Sequence, residues 1–314
     1  MSAKDFFSKG WPTRLAFYLG KYSPPRGGRL IAGLAARTLV TLKPDIYHVV
    51  YDNQTHVLGA EATETQIKES VYHVFFNAAR AYYELFHNVG RGRTEVKSFD
   101  PPVRLMPEAK VYLEEALATG RGVFILGCHT SNFDLAGIAL GQFISRPLQV
   151  LSMPDPPGGF ELFNRLRKQA GTLLTPISPG ALRDAMRRLS SGGAVITGVD
   201  RPSGEGDEPA EFFGATAKLP TGYIRIPLRT GCLVMTACPF LEDGEYRIVA
   251  NPPMEMQQTG DRRRDIKYNH QRVLRQVEAL IRRHPDQWMM FVPVWDNACT
   301  NTCDNIDGKN HAKA

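Results

Sequence analysis

Between residues 107 and 284, short apolar runs alternate with stretches of helical periodicity, and that alternation limits what the chain can become. "PEAKVYLEEALATG" has a helical pattern closed by Gly120 as a C-cap, and "GVFILG" at 122–127 is an apolar run of buried-strand length. Residues 133–143 are helical again, and "PLQVLSM" is a strand. "GGFELFNRLRKQAG" is a helix, "TLLTPIS" a short strand, and "GALRDAMRRLSSG" a helix ending in glycines. "GAVITGVD" is a strand closing on Asp200, and "PTGYIRIPLRTG" opens a helix. "CLVMTACPF" and "EYRIVANPP" are strands around an "EDG" turn, and "RRRDIKYNHQRVLRQVEALIRRH" is a long helix. Strands alternating with helices in this order predict an α/β domain whose mainly parallel sheet is flanked by helices.

The chain before this domain is helical. "GRLIAGLAARTLVTL" and residues 62–88 read as helices, the second with Thr63 as N-cap. Val71, Val74, Phe75, Ala78, Tyr82, Leu85 and Phe86 form its apolar stripe, which is read as core. "NVGRGRTEVKSFDPP" breaks the pattern. The expected division is a helical region over 1–100, an α/β domain over 101–298 and a disordered tail over 299–314. No run of about 18 uncharged apolar residues is present, so a conventional membrane span is not expected, nor is a signal peptide. The N-terminus instead mixes Phe6, Phe7, Trp11, Leu15, Phe17, Tyr18 and Leu19 with Lys4, Lys9, Arg14 and Lys21. Rings and cations together suit an anionic membrane surface, although an amphipathic helix docked on its own domain has the same pattern.

A net charge of +6 agrees with anionic partners such as phospholipid headgroups or phosphorylated carriers. The basic residues are dispersed and no nucleic-acid module is recognisable, which disfavours nucleic acid. Arg262, Arg263 and Arg264 read as a solvated face or part of a membrane-facing patch. The 5 cysteines lack paired spacing, which argues against a disulfide framework and fits a reducing compartment.

In sheets of this kind, sites gather at the carboxyl ends of strands. Two strands end there in ionisable residues: "GVFILGCHTSNFD" delivers His129 and Asp134, and "GAVITGVDR" delivers Asp200 and Arg201. Asp134 has two readings, as a stabiliser of a helix's first turn or as the partner that fixes the His129 imidazole and makes it a general base. Thr221, in "PTG", stands where backbone N–H groups at a helix start could meet a phosphate or oxyanion. Ser131 lacks the Gly-x-Ser-x-Gly setting of a nucleophile elbow. Cys128 is read as packing, because a strand neighbour points to the opposite face. "GEGD" lacks the residues of a phosphate loop and is read as a mobile loop near the site.

"GCHTSNFD", the later block "GVDRPSGEGDEPAEFFGATAKLPTGYIRIPLRTGCLVMTACP" and then "HPDQWMMFVPVW" together resemble the bacterial late lipid acyltransferase family. That family includes lipid A lauroyl- and myristoyl-type acyltransferases and phosphatidylinositol mannoside acyltransferases. The resemblance runs from about residue 10 to 295 and includes "VFFNAARAYYELF". It implies a glycerophosphate-acyltransferase-like α/β fold on the cytoplasmic face of the cell membrane, bound peripherally. It also implies His129 as base and Asp134 as its orienting acid, with Asp where lipid A members usually carry Glu. Arg167 matches a family arginine. Asp200 and Glu211 fall in blocks resembling "D-x-D…FFG", with Pro202 in place of the second acid. Phe291-Val292-Pro293 stand where His-Arg-Arg is typical of the lipid A enzymes, which leaves the acceptor open.

The expectation is therefore an O-acyltransferase that moves a fatty acyl chain from an acyl-CoA or acyl carrier protein thioester to a hydroxyl of a lipid or glycolipid. No metal or redox cofactor is called for. Two other classes share these residues: a hydrolase of acyl esters or thioesters, and a non-catalytic lipid-binding protein of the same fold.

Overall fold

The computed structural model describes residues 10–144, 147–154, 160–204 and 206–295. Phe6, Phe7, Lys4, Lys9, the side chain of Trp11 and the tail over 299–314 with Cys299 and Cys303 lie outside the described residues.

Four helices come first: α1 (Gly10–Tyr22), α2 (Pro25–Leu42), α3 (Asp45–Leu58) and α4 (Glu64–Asn88). Thr63 caps α4 as the sequence predicts, in a reciprocal capping box with Gln66. The predicted stripe of α4 is buried apart from half-buried Tyr82, and its first half builds a separate core with Ala36, Tyr47 and Val50. Helix α2 crosses α4 so closely that a Cβ on Gly28 would lie 2.3 Å from the Tyr83 ring. Helix α3 is not foreseen in the sequence, because "DIYHVVYDNQTHVL" buries Asn53 and Gln54 beside its apolar residues and blurs the helical stripe.

The α/β part follows as β1 (Val103–Leu105), α5 (Pro107–Ala118), β2 (Val123–Gly127), α6 (Phe133–Phe143), β3 (Leu148–Ser152) and α7 (Phe160–Gln169). Then come β4 (Leu173–Pro176), α8 (Pro179–Ser190), β5 (Ala194–Gly198), β6 (Asp207–Phe212), β7 (Ala215–Pro220) and α9 (Arg225–Thr230). The last elements are β8 (Leu233–Glu242), β9 (Glu245–Ala250) and α10 (Arg262–Ile281). Seven strands form one sheet in the order β1-β9-β8-β2-β5-β3-β4. Every pairing in it is parallel except β8 with β9, where the "EDG" turn makes a hairpin.

Strand β2 shows why an unbroken apolar run serves in the middle of such a sheet. Phe124 and Leu126 enter the core under α8, α9 and α10, while Val123 and Ile125 enter the core under α4, α5, α6 and α7. The hairpin β6–β7 was not anticipated either. Its burial alternates weakly and its inner faces, Phe212 and Leu219, pack on the first of these cores.

Candidate active site

Strand β2 leaves the sheet at Gly127, and α6 begins six residues later, capped by the Asn132 side chain on the Leu135 N–H. Ser131 takes the left-handed region, φ 48°, to turn the chain between them, and its N–H donates to the Gln287 carbonyl at 2.7 Å. The turn thus leaves His129 at the carboxyl end of a central strand and Asp134 in the first turn of a helix, as the sequence predicts.

The partner of His129 differs from the expectation. Nδ1 of His129 lies 2.7 Å from Asp200 Oδ1, and the His129 main-chain N–H donates to Asp200 Oδ2 at 2.8 Å. Register explains it. Gly127 of β2 is paired with Gly198 of β5, and His129 and Asp200 each stand two residues further along their parallel strands. The ring lies so close to β5 that a Cβ on Gly198 would be 2.9 Å from His129 Cε1. Asp200 is completely buried, whereas the His129 side chain keeps 27 % of its surface exposed. Burial alone would raise the Asp200 carboxyl. The His129 imidazole, both His129 hydrogen bonds and the Trp288 indole outweigh burial and hold Asp200 below the usual carboxylate range. An ionised carboxylate only accepts, so Nδ1 carries a proton, and in the neutral imidazole Nε2 is the nitrogen with the lone pair.

Asp134, expected on the imidazole, is instead bound to Arg167. Nε of Arg167 donates to Asp134 Oδ1 at 2.6 Å and Nη1 donates to Asn164 at 2.9 Å. The expected contact with His129 does not form, because four intervening residues carry Asp134 into α6, where it faces α7 rather than β5. Tyr82 joins this pair from α4. Burial first and then the Asp134 carboxylate push its phenol up to about 12, against the lowering by Arg167 and Arg201, so it stays a neutral donor. Arg201 is half-buried in the same neighbourhood.

The segment 285–294 is bonded to the site residues. Trp288 Nε1 donates to Asp200 Oδ2 at 2.7 Å, Trp288 bridges Thr130, and the Met289 N–H donates to the His129 carbonyl at 2.8 Å. Gln287 is clipped to Leu241 of β8 through both ends of its amide. The helical region holds the same segment from the other side: Asn53 donates to the carbonyls of Met290 and Val292, Gln54 to that of Pro285, and Asn77 to that of Asp286. Three polar residues of α3 and α4 thereby support a strap that supports Asp200.

The other sequence candidates are engaged elsewhere. Glu211 is exposed on β6, its backbone bonded to Gln271 of α10. Thr221 is buried and donates to Glu208, and the short helical turn after it has no side-chain cap. In the "GEGD" region the Asp207 carboxylate accepts from Ser203 and Gly204. Cys128 points into the core beside Cys238, and that thiol first and burial second push its own well above the usual range. Tyr82 and Trp288 are the residues that sequence reasoning missed. Tyr82 was hidden in an apolar stripe, and Trp288 stood inside the quoted "HPDQW" block without a role.

Residues 24–297 match the family model described as bacterial lipid A biosynthesis acyltransferase. A phosphatidylinositol mannoside acyltransferase of Mycobacterium tuberculosis is 23% identical over 187 residues, covering 59% of this chain and 58% of that protein. A phosphatidylinositol mannoside acyltransferase of Mycolicibacterium smegmatis is 22% identical over 187 residues, covering 59% of this chain and 60% of that protein. The match therefore spans less than two thirds of the length of these relatives. With a model match over most of its length, the chain belongs to the bacterial lipid A biosynthesis acyltransferase family.

Proposed function

We propose that the protein is a peripheral-membrane O-acyltransferase that moves a fatty acyl chain from a thioester to a hydroxyl of a lipid or glycolipid. The observation that carries this is the His129–Asp200 pair, with one imidazole nitrogen held by a buried carboxylate and the ring partly open to solvent. Nε2 of His129 takes the acceptor's hydroxyl proton as the oxygen attacks the thioester carbonyl. The carbon–sulfur bond then breaks, the imidazolium returns its proton to the departing thiolate, and an ester and a free thiol result. Asp200 balances the imidazolium while it exists. Arg167, aligned by Asp134 and Asn164, and half-buried Arg201 would meet a phosphate of donor or acceptor. The donor is an acyl-CoA or acyl carrier protein thioester. The two mycobacterial relatives favour a mannosylated phosphoinositide as the first acceptor to try.

Membrane docking through α1 and α2 is supported by their outer faces. Leu15, Tyr18, Leu19 and Tyr22 of α1 and Leu30, Leu34 and Leu42 of α2 are exposed, next to exposed Arg14, Arg29 and Arg37. No helix among the described residues is long and apolar enough to cross a membrane. Leu30→Ser with Leu34→Ser should release the protein from anionic vesicles without altering its melting temperature. Unchanged co-sedimentation would remove these helices from the docking surface.

The test of the reaction is mass spectrometry of products from palmitoyl-CoA and vesicles carrying phosphatidylinositol mannosides or a total lipid extract, with His129→Ala in parallel. A new acylated lipid that is absent with the variant supports the proposal and names the acceptor. Free fatty acid without an acylated lipid points to a hydrolase, and no turnover by wild-type protein points to a non-catalytic lipid-binding protein.

A further inference from the structure

Asp200 is wholly enclosed, so its two oxygens meet only protein donors. Oδ1 faces Nδ1 of His129, while Oδ2 accepts from the His129 main chain and from Trp288 Nε1. Two of these three donors belong to the histidine itself. The third comes from the far end of the chain, on a strap fastened by Gln287 to β8 and by Met289 to the His129 carbonyl.

We propose that Trp288 is a positioning residue for acyl transfer: its indole N–H holds one oxygen of Asp200 so that the other is aimed at Nδ1 of His129. This rests on the reading of His129 as the base. Packing alone does not account for the arrangement. Trp288 is 1 % exposed and sits among Phe212, Phe213 and Trp295, an apolar surround that a ring of the same shape without the N–H would satisfy as well. Only the N–H needs the carboxylate. A charge-assisted bond to a buried carboxylate fixes its rotation and disperses its charge. Without that donor, Asp200 holds a proton more readily and can turn away from the imidazole.

The variant that isolates the N–H is Trp288→benzothienylalanine, in which sulfur replaces it and the ring shape is kept; Trp288→Phe is the genetically encoded companion. Both are assayed with palmitoyl-CoA and phosphatidylinositol mannoside vesicles, beside wild type and His129→Ala. The expected result for the isostere is a kcat lower by roughly tenfold to a hundredfold, the effect of one hydrogen bond to a charged group. KM for palmitoyl-CoA should be unchanged, the melting temperature should fall by only a few degrees, and the acid limb of the kcat/KM profile should move to lower pH as the imidazolium loses its counter-charge. An unchanged kcat, or a lower kcat with the acid limb in place, would overturn the proposal and make Trp288 a packing residue. If His129→Ala transfers acyl groups at the wild-type rate, or wild type leaves both substrates untouched, the underlying reading fails and the proposal with it. If His129→Ala is inactive while the isostere keeps the wild-type profile, the Trp288 proposal alone fails.

Discussion

Two carboxylates stand near the ends of β2 and β5, and they hold different partners. Asp200 is buried completely, is bonded by three donors and faces an imidazole whose charge can change. Asp134, with 6 % of its side chain exposed, faces the permanent cation of Arg167, 18 % exposed. A carboxylate beside a titratable ring tunes proton transfer, because it favours the charged form that the reaction creates. A carboxylate beside arginine cannot do this at any accessible pH. It fixes a guanidinium in place, which suits holding an anion. Under the proposed reaction, the difference gives a chemical role to one and a binding role to the other of two residues of the same type.

That separation predicts unequal effects of equal substitutions. Asp200→Asn should lower kcat by about 10³–10⁴-fold, as when the acid behind a catalytic histidine is made neutral. A loss under tenfold would break the comparison. Gly198→Ala should be next. The added Cβ meets the imidazole at 2.9 Å, and a misplacement of about 1 Å costs on the order of 10²-fold in kcat. Asp134→Asn should act mainly on binding, raising KM about tenfold through one weakened charge-assisted bond to Arg167, with a smaller change in kcat. A kcat effect as large as that of Asp200→Asn would erase the distinction.

Buried His270, on α10, sharpens the contrast on the side of stability. His270 meets the Tyr223 hydroxyl at 2.9 Å instead of a carboxylate, and burial lowers it from 6.5 to about 4 despite the raising effects of Glu208 and Asp207. A depressed folded value means that the unfolded chain binds the extra proton first. Stability is therefore full above pH 6.5 and declines as pH falls toward 4, by roughly 3 kcal/mol in all. Thermal melts from pH 7.5 to 4.5 should show this decline reduced in His270→Gln. Asp200 has its own window lower down. Its folded value is also depressed, so the stability it contributes is present above the ordinary carboxylate value of 3.8 and is lost as pH falls through the folded one.

Much of this architecture is legible in the sequence. The strands of the seven-stranded sheet from 122 onward, the long helices, the Thr63 cap and the placement of His129 at a strand end follow from apolar periodicity and cap chemistry. The identity of the acid on the imidazole did not. "HTSNFD" puts Asp134 near His129 in sequence, whereas Asp200 is 71 residues away and becomes its neighbour only because β5 inserts between β2 and β3. Strand order carries that information, and the apolar runs of β2, β3 and β5 do not specify it. Trp288 was opaque for a related reason. A buried tryptophan reads as core until something shows where its N–H points. The hairpin β6–β7 and helix α3 were missed where polar residues interrupt the periodic signal.

The central claim is that Asp200 acts through His129 and Asp134 does not. A pair of double-mutant cycles tests it, with kcat and KM for palmitoyl transfer measured for His129→Ala, for each Asp→Asn variant and for each double variant. The account predicts that adding Asp200→Asn to His129→Ala changes the residual rate by less than about threefold, since a residue that works through another has nothing left to support. Asp134→Asn should keep its own effect in the same background. If Asp200→Asn lowers the residual rate in full while the Asp134 effect vanishes with the histidine, the assignment of the two acids is reversed and the account is wrong.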